Sequence, residues 1–141
     1  MKLAIALVML VAGPAGADES SPAALAMGKA LYASNCASCH GVNLEGQPNW
    51  RRRLPTGRMP APPHDATGHT WHHSDEDLFR MVKLGVAAVV GHGYESDMPA
   101  FGSVLTDEQI RAILSYIKSR WPDRQRAGQA EVTRQAEGAA Q

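Results

Sequence analysis

The 141-residue sequence predicts an all-α protein. Apolar residues recur at helical spacing in separate segments, those segments open on capping signals, and no stretch alternates with the period of a strand. Long irregular runs separate the helices, so the expected architecture is a few short helices joined by long loops.

Residues 1–17 do not read as folded structure. Lys2 precedes an apolar run from Leu3 to Ala12, too short for a bilayer, which needs about 20 residues. Ala15 and Ala17 then give the small-x-small pattern of a signal-peptidase site. The expectation is a signal peptide over 1–17, cleaved before Asp18, and export to the periplasm of a bacterium. A retained membrane anchor is the alternative, against which Gly13, Pro14 and Gly16 break the run early.

Ser21 followed by Pro22 marks a helix start, and an Ala-rich helix is expected from Pro22 to about Asn35, with Leu25, Gly28 and Tyr32 on one side. Residues 43–73 hold five prolines and little periodicity, so they read as a loop. Ser74 opens S-D-E-D, a capping box with Asp in place of Glu. Leu78, Met81 and Val82 follow at helical spacing, and Gly85 is a natural stop. A second loop is expected from Gly85 to Leu105. Thr106 with Gln109 makes another capping box, and Ile110, Ile113, Leu114, Ile117 and Trp121 trace one helical stripe, ended by Pro122. Residues 123–141 have Val132 as their only large apolar side chain and read as a disordered tail. The expected domain is therefore 18–122.

Without Lys2 the chain keeps 14 − 1 = 13 basic and 14 acidic side chains. A net charge near −1 argues against a general nucleic-acid binder. The charge is segregated: Arg51, Arg52, Arg53 and Arg58 crowd one stretch. They read either as a solvated loop or as a docking patch, or as partners for acidic groups on a cofactor.

Three helices in 141 − 17 = 124 residues bury little apolar surface. The two cysteines, Cys36 and Cys39, cannot staple distant parts together, because a disulfide between them would close a tiny loop. Something else must complete the core. The stretch S-N-C-A-S-C-H-G, residues 34–41, offers three chemistries. A redox disulfide would want a strand before the motif, and none is visible. A zinc site would want four ligands, which His64, His69, His72 or His73 could complete. Haem attachment fits best: residues three apart on a helical turn share a face, so both thiols can add to the two vinyl groups of one porphyrin edge. His40 then lies beneath the iron as an axial ligand.

On these residues the sequence resembles the class I c-type cytochromes. The resemblance covers roughly residues 22–121: a helix, C-A-S-C-H-G, an irregular loop, a helix, the loop D-M-P-A-F-G, and a closing helix with L-S-Y-I-K. It implies the cytochrome c-like fold around one covalent haem c. It also implies a close crossing of the first and last helices, where Gly28 would meet Tyr116 or Ile117, and a methionine as sixth ligand. Met27 and Met81 read as core. Met59 and Met98 lie in loops before a proline, which biases each towards an extended backbone. Chain reach does not separate them, whereas the family order favours Met98.

Trp50 and Trp71, with Arg51, Arg52 and Arg53, are candidate hydrogen-bond partners of the haem propionates. The carbonyl of Pro48 is the candidate acceptor for His40 Nδ1. The cluster His64, His69, His72 and His73 would pack against the haem edge or bond loop carbonyls, with a pH-dependent contact or weak copper binding as alternatives.

The expected function is that of a periplasmic electron carrier with His40 and Met98 as axial ligands, serving unidentified donor and acceptor proteins. No nucleophile–base pair or acid–base dyad suggests an enzyme. The alternatives are a haem subunit of a larger oxidoreductase complex, or a gas- or peroxide-binding protein with a labile sixth ligand.

Overall fold

Helices account for all the regular structure among the described residues, 18–140, of a computed structural model. The segment expected to be a signal peptide lies outside the described residues. Among these residues six α-helices run α1 (Pro22–Asn35), α2 (Ala37–His40), α3 (Asp75–Leu84), α4 (Val86–Val90), α5 (Asp107–Ser119) and α6 (Asp123–Ala139), with a 3-10 turn at Thr70–His72. Among the described residues there is no strand, and no helix is long and apolar enough to cross a membrane.

The helix starts follow from their caps. Ser21 accepts from the Ala24 amide at α1, with Pro22 in the first turn. At α5, Thr106 and Gln109 exchange both bonds of a capping box. At α3 the Ser74 hydroxyl accepts from the Asp77 amide, but the return bond runs between the Ser74 hydroxyl and Asp77 Oδ2 at 2.9 Å. Aspartate is one methylene shorter than glutamate and closes on the hydroxyl rather than on the backbone.

The core is one stripe of α5 against α1. Ile110, Ile113, Leu114, Ile117 and Trp121 are all buried, together with Tyr32, Leu44, Leu78 and Phe79. Helices α1 and α5 pack closely enough that a Cβ on Gly28 would lie 2.0 Å from the Ala112 carbonyl oxygen and 3.0 Å from Tyr116 Cβ. The expected glycine crossing is present, against Tyr116 and, one turn earlier in α5, directly on the Ala112 backbone.

Two expectations are corrected. The segment from Gly85 to Leu105 is not all loop, since Val86–Val90 forms the short helix α4. Residues 123–139 are not a disordered tail but the helix α6. This helix is anchored by polar contacts, which an apolar count does not register. Gln129, 1% exposed, donates from Nε2 to the His73 carbonyl and to Asp75 Oδ1. The Thr133 hydroxyl accepts from the Asp75 amide, and Lys118 Nζ meets both oxygens of Asp75 at 2.8 Å. Helix α6 is thereby bonded to the start of α3, which Lys118 joins directly to the end of α5.

Candidate haem site

The C-x-x-C-H motif occupies a helical turn. Cys36 ends α1, its amide donating to the Tyr32 carbonyl, and it also precedes α2. The His40 amide donates back to the Cys36 carbonyl at 2.9 Å. Both cysteines are free thiols, Cys36 half-buried and Cys39 exposed.

His40 is 7% exposed, and its Nδ1 lies 2.8 Å from the Pro62 carbonyl oxygen. A carbonyl can only accept, so Nδ1 carries the proton and Nε2 keeps its lone pair for a metal. Burial lowers the pKa of His40, and the bond to Pro62 opposes that only in part. The ring is therefore neutral near pH 7, as a ligand must be.

Pro62, not Pro48, is the acceptor. The Gly46 amide bonds the His40 carbonyl, which closes a tight turn directly after the motif. Gln47 then pairs with Ala61, its amide donating to the Ala61 carbonyl and its side chain accepting from the Ala61 amide, both at 2.9 Å. Pairing 47 with 61 loops out the residues between them, including exposed Pro48, and delivers Pro62 to His40. The run A-P-P-H, residues 61–64, was the available sequence signal for this carbonyl.

His64 stacks on His40, ring centroids 3.9 Å apart at 20°. Its backbone is fixed by a bond to the Leu44 carbonyl and by the indole of Trp121, which donates to the His64 carbonyl at 2.7 Å. The Tyr32 hydroxyl donates to the Gly41 carbonyl, and burial pushes its phenol pKa up, so it stays a neutral donor. Sequence reasoning assigned no role to Tyr32, Leu44 or Trp121 at the motif, because long-range side-chain bonds leave no local pattern.

The other expected residues divide. Trp50 stacks on His69 at 5.4 Å, and the Arg51 guanidinium lies 4.4 Å above the Trp50 ring. Arg53 donates to the Gly57 carbonyl, closing its own turn, and Arg52 is exposed. Trp71 stacks on His72 at 3.7 Å. His69, His72 and His73 do not form a metal cluster: among the described residues there is no group of three or more His, Cys, Asp or Glu able to hold an ion. Met98 is half-buried, its amide donating to the Ser96 hydroxyl at 3.1 Å, and Met59 is half-buried in its own loop.

The donor set fits a covalent haem. Two free thiols flank a turn that ends in a neutral, oriented imidazole. Two buried polar side-chain atoms, His64 Nδ1 and Trp71 Nε1, have no partner among the described residues. Indole N–H can only donate, and the described residues offer Trp71 Nε1 no acceptor.

The chain matches the cytochrome c family model over residues 25–121. It is 32% identical over 103 residues to cytochrome c-555 of Prosthecochloris aestuarii, covering 66% of this chain and 84% of that one. It is 46% identical over 57 residues to the cytochrome bc1 complex cytochrome c subunit of Mycobacterium tuberculosis, 32% of this chain. A third relative is the fructose dehydrogenase cytochrome subunit of Gluconobacter japonicus, 32% identical over 113 residues and 77% of this chain. The matches span 20% of the mycobacterial subunit and 21% of the fructose dehydrogenase subunit. No solved structure matches.

Proposed function

The chain belongs to the cytochrome c family, and from that membership we propose that it is an exported, monohaem electron carrier with His40 and Met98 as axial ligands. Haem c, bound through Cys36 and Cys39, supplies an iron that passes one electron between ferric and ferrous states. The observation that carries the reading is the buried His40, its Nδ1 committed to Pro62, on the same turn as the two thiols.

The chain's own residues serve that role by not moving. Pro62 fixes the ring of His40, His64 backs it, and the Trp121 bond holds His64 in place. A ligand set held the same way in both oxidation states needs little reorganisation. The surface supports exchange with a partner: Val42, two residues after His40, is 70% exposed. Trp71 Nε1, unpartnered and buried, supplies a donor for a propionate. Trp50 and Arg51 form a stacked wall beside His69, and exposed Arg52 remains for a docking partner. Met98 stands in the loop between α4 and α5, before a proline, with its backbone fixed by Ser96.

A second reading is that the chain is the haem subunit of a larger oxidoreductase. The relatives favour it, since one is named as a subunit of the bc1 complex and another as the cytochrome subunit of fructose dehydrogenase.

The absorption spectrum of the purified protein in both redox states tests the ligand assignment. A weak band at the red end of the ferric spectrum and poor binding of carbon monoxide by the ferrous protein are expected. Ready carbon monoxide binding without the band would favour a labile site and displace the carrier reading. Copurification with a stoichiometric dehydrogenase or oxidase would favour the subunit reading.

A further inference from the structure

We propose that Arg58 is a positioning residue for the loop that carries Met98, acting through its ion pairs with Asp97 and Glu95. This rests on Met98 being the sixth ligand. Arg58 Nη1 meets Asp97 Oδ1 at 2.5 Å, and Arg58 Nε lies 3.9 Å from Glu95 Oε2. The pair joins positions 39 apart in sequence, and each charge is the immediate neighbour of a loop methionine, Met59 on one side and Met98 on the other.

The two ends of the clamp differ in stiffness. On the Arg58 side the backbone is closed: Leu54 donates to the Arg58 carbonyl and Gly57 to the Leu54 carbonyl, both at 2.8 Å, and Arg53 donates to the Gly57 carbonyl. On the Met98 side the chain turns through Gly91, His92 and Gly93, all at positive φ. It is caught again only at Phe101 and Gly102, whose amides bond the Val82 and Lys83 carbonyls at the end of α3. Between those points the loop's own bonds are local, Tyr94 to Gly91 and Met98 to Ser96. Apart from that local bond to Gly91, Arg58 makes the only hydrogen bond and ion pairs, among the described residues, that reach 92–98 from outside. A charge fixed on a closed turn therefore restrains a loop whose opening would release the sixth ligand.

The pairs are exposed, Arg58 at 40% and Asp97 at 59%, so their effect is modest and screened by salt. It falls on the opening equilibrium of this loop rather than on global stability.

The test uses the haem-loaded protein and the variants Asp97→Asn, Arg58→Gln and Arg58→Lys, titrated in the ferric state with imidazole and followed by loss of the red-end sulfur band. All three should fold, since the side chains are exposed. Asp97→Asn and Arg58→Gln should bind imidazole about three-fold more tightly at low salt, the size expected of an exposed ion pair. Arg58→Lys should keep most of the wild-type resistance. Raising salt to about 0.5 M should bring the wild type to the variants' affinity and leave the variants unmoved. A packing role would not give that salt dependence or the lysine rescue. A wild-type protein without the sulfur band overturns both the Met98 assignment and the clamp. A wild type with the band, and variants with unchanged imidazole affinity, overturn the clamp alone.

Discussion

At the residue scale the site depends on which atoms are left free. Pro62 takes the proton-bearing nitrogen of His40 and leaves the other for iron. Met98→Ala removes the thioether from the D-M-P loop, so the iron should become high-spin or recruit water or a histidine. Its potential should fall, because a thioether favours ferrous iron; each ~59 mV is a tenfold change for a one-electron couple. Met59→Ala should leave both spectrum and potential unchanged. Potentiometric titration of the two variants decides, and a fall in Met59→Ala with none in Met98→Ala would exchange their roles. A second residue-scale prediction concerns His69. Partial burial first, then the charges of His73, His72 and Arg51, hold its pKa below the usual 6.5. A base whose pKa is lowered on folding stabilises the fold above its unfolded value, and that contribution is lost as pH drops below it. Melting temperature should therefore decline as pH falls below 6.5, and decline less in His69→Gln; parallel melting curves for the two proteins would contradict this.

At the element scale, Gly28→Ala puts a methyl against the Ala112 backbone, which has no flexible end to move aside. Helices α1 and α5 must separate, at an expected loss of about 1–3 kcal/mol, the usual range for overpacking; chemical denaturation of wild type and variant measures it. Much of this scale was legible beforehand. The stripe Ile110, Ile113, Leu114, Ile117, Trp121 is buried throughout, and the caps at Ser21, Ser74 and Thr106 start their helices. Helix α6 was not legible, for a physical reason. It is held by Gln129 and Thr133 to groups 54 to 58 positions away, and apolar periodicity carries no trace of such bonds. Pro62 was hidden for the same reason, since the Gln47–Ala61 pairing that delivers it is not local. Truncation after Pro122 should lower the melting temperature: it exposes the Asp75 amide and strips two partners from the start of α3, at about 1–3 kcal/mol. Faster amide exchange at Asp75 and Glu76 should accompany it. An unchanged melting temperature would mean that α6 rests on the domain without supporting it.

At the scale of the whole molecule, the question is what holds long loops around so small a core. The buried apolar side chains lie mainly on α1, α3 and α5, and residues 41–69 contribute Leu44 alone to that core. Two polar atoms inside, His64 Nδ1 and Trp71 Nε1, are buried without partners, which costs stability unless something else meets them. A covalent haem answers both needs, since it adds apolar area beside His40 and His64 and brings carboxylates that an indole can meet. Cys36→Ser with Cys39→Ser, produced alongside the haem-attachment machinery, removes that group while changing little else: both serines are small, and Cys39 is already exposed. The loops between α2 and α3 would then have to order themselves around unpartnered polar atoms, against a backbone cost of roughly 1–2 kcal/mol per residue. The double variant should therefore show reduced helicity, no sharp thermal transition and rapid proteolysis between residues 41 and 69, measured by circular dichroism, melting and limited digestion. A haem-free variant that melts cooperatively near the wild-type temperature would show that α1, α3, α5 and α6 suffice, and that haem is cargo of this fold rather than part of its core.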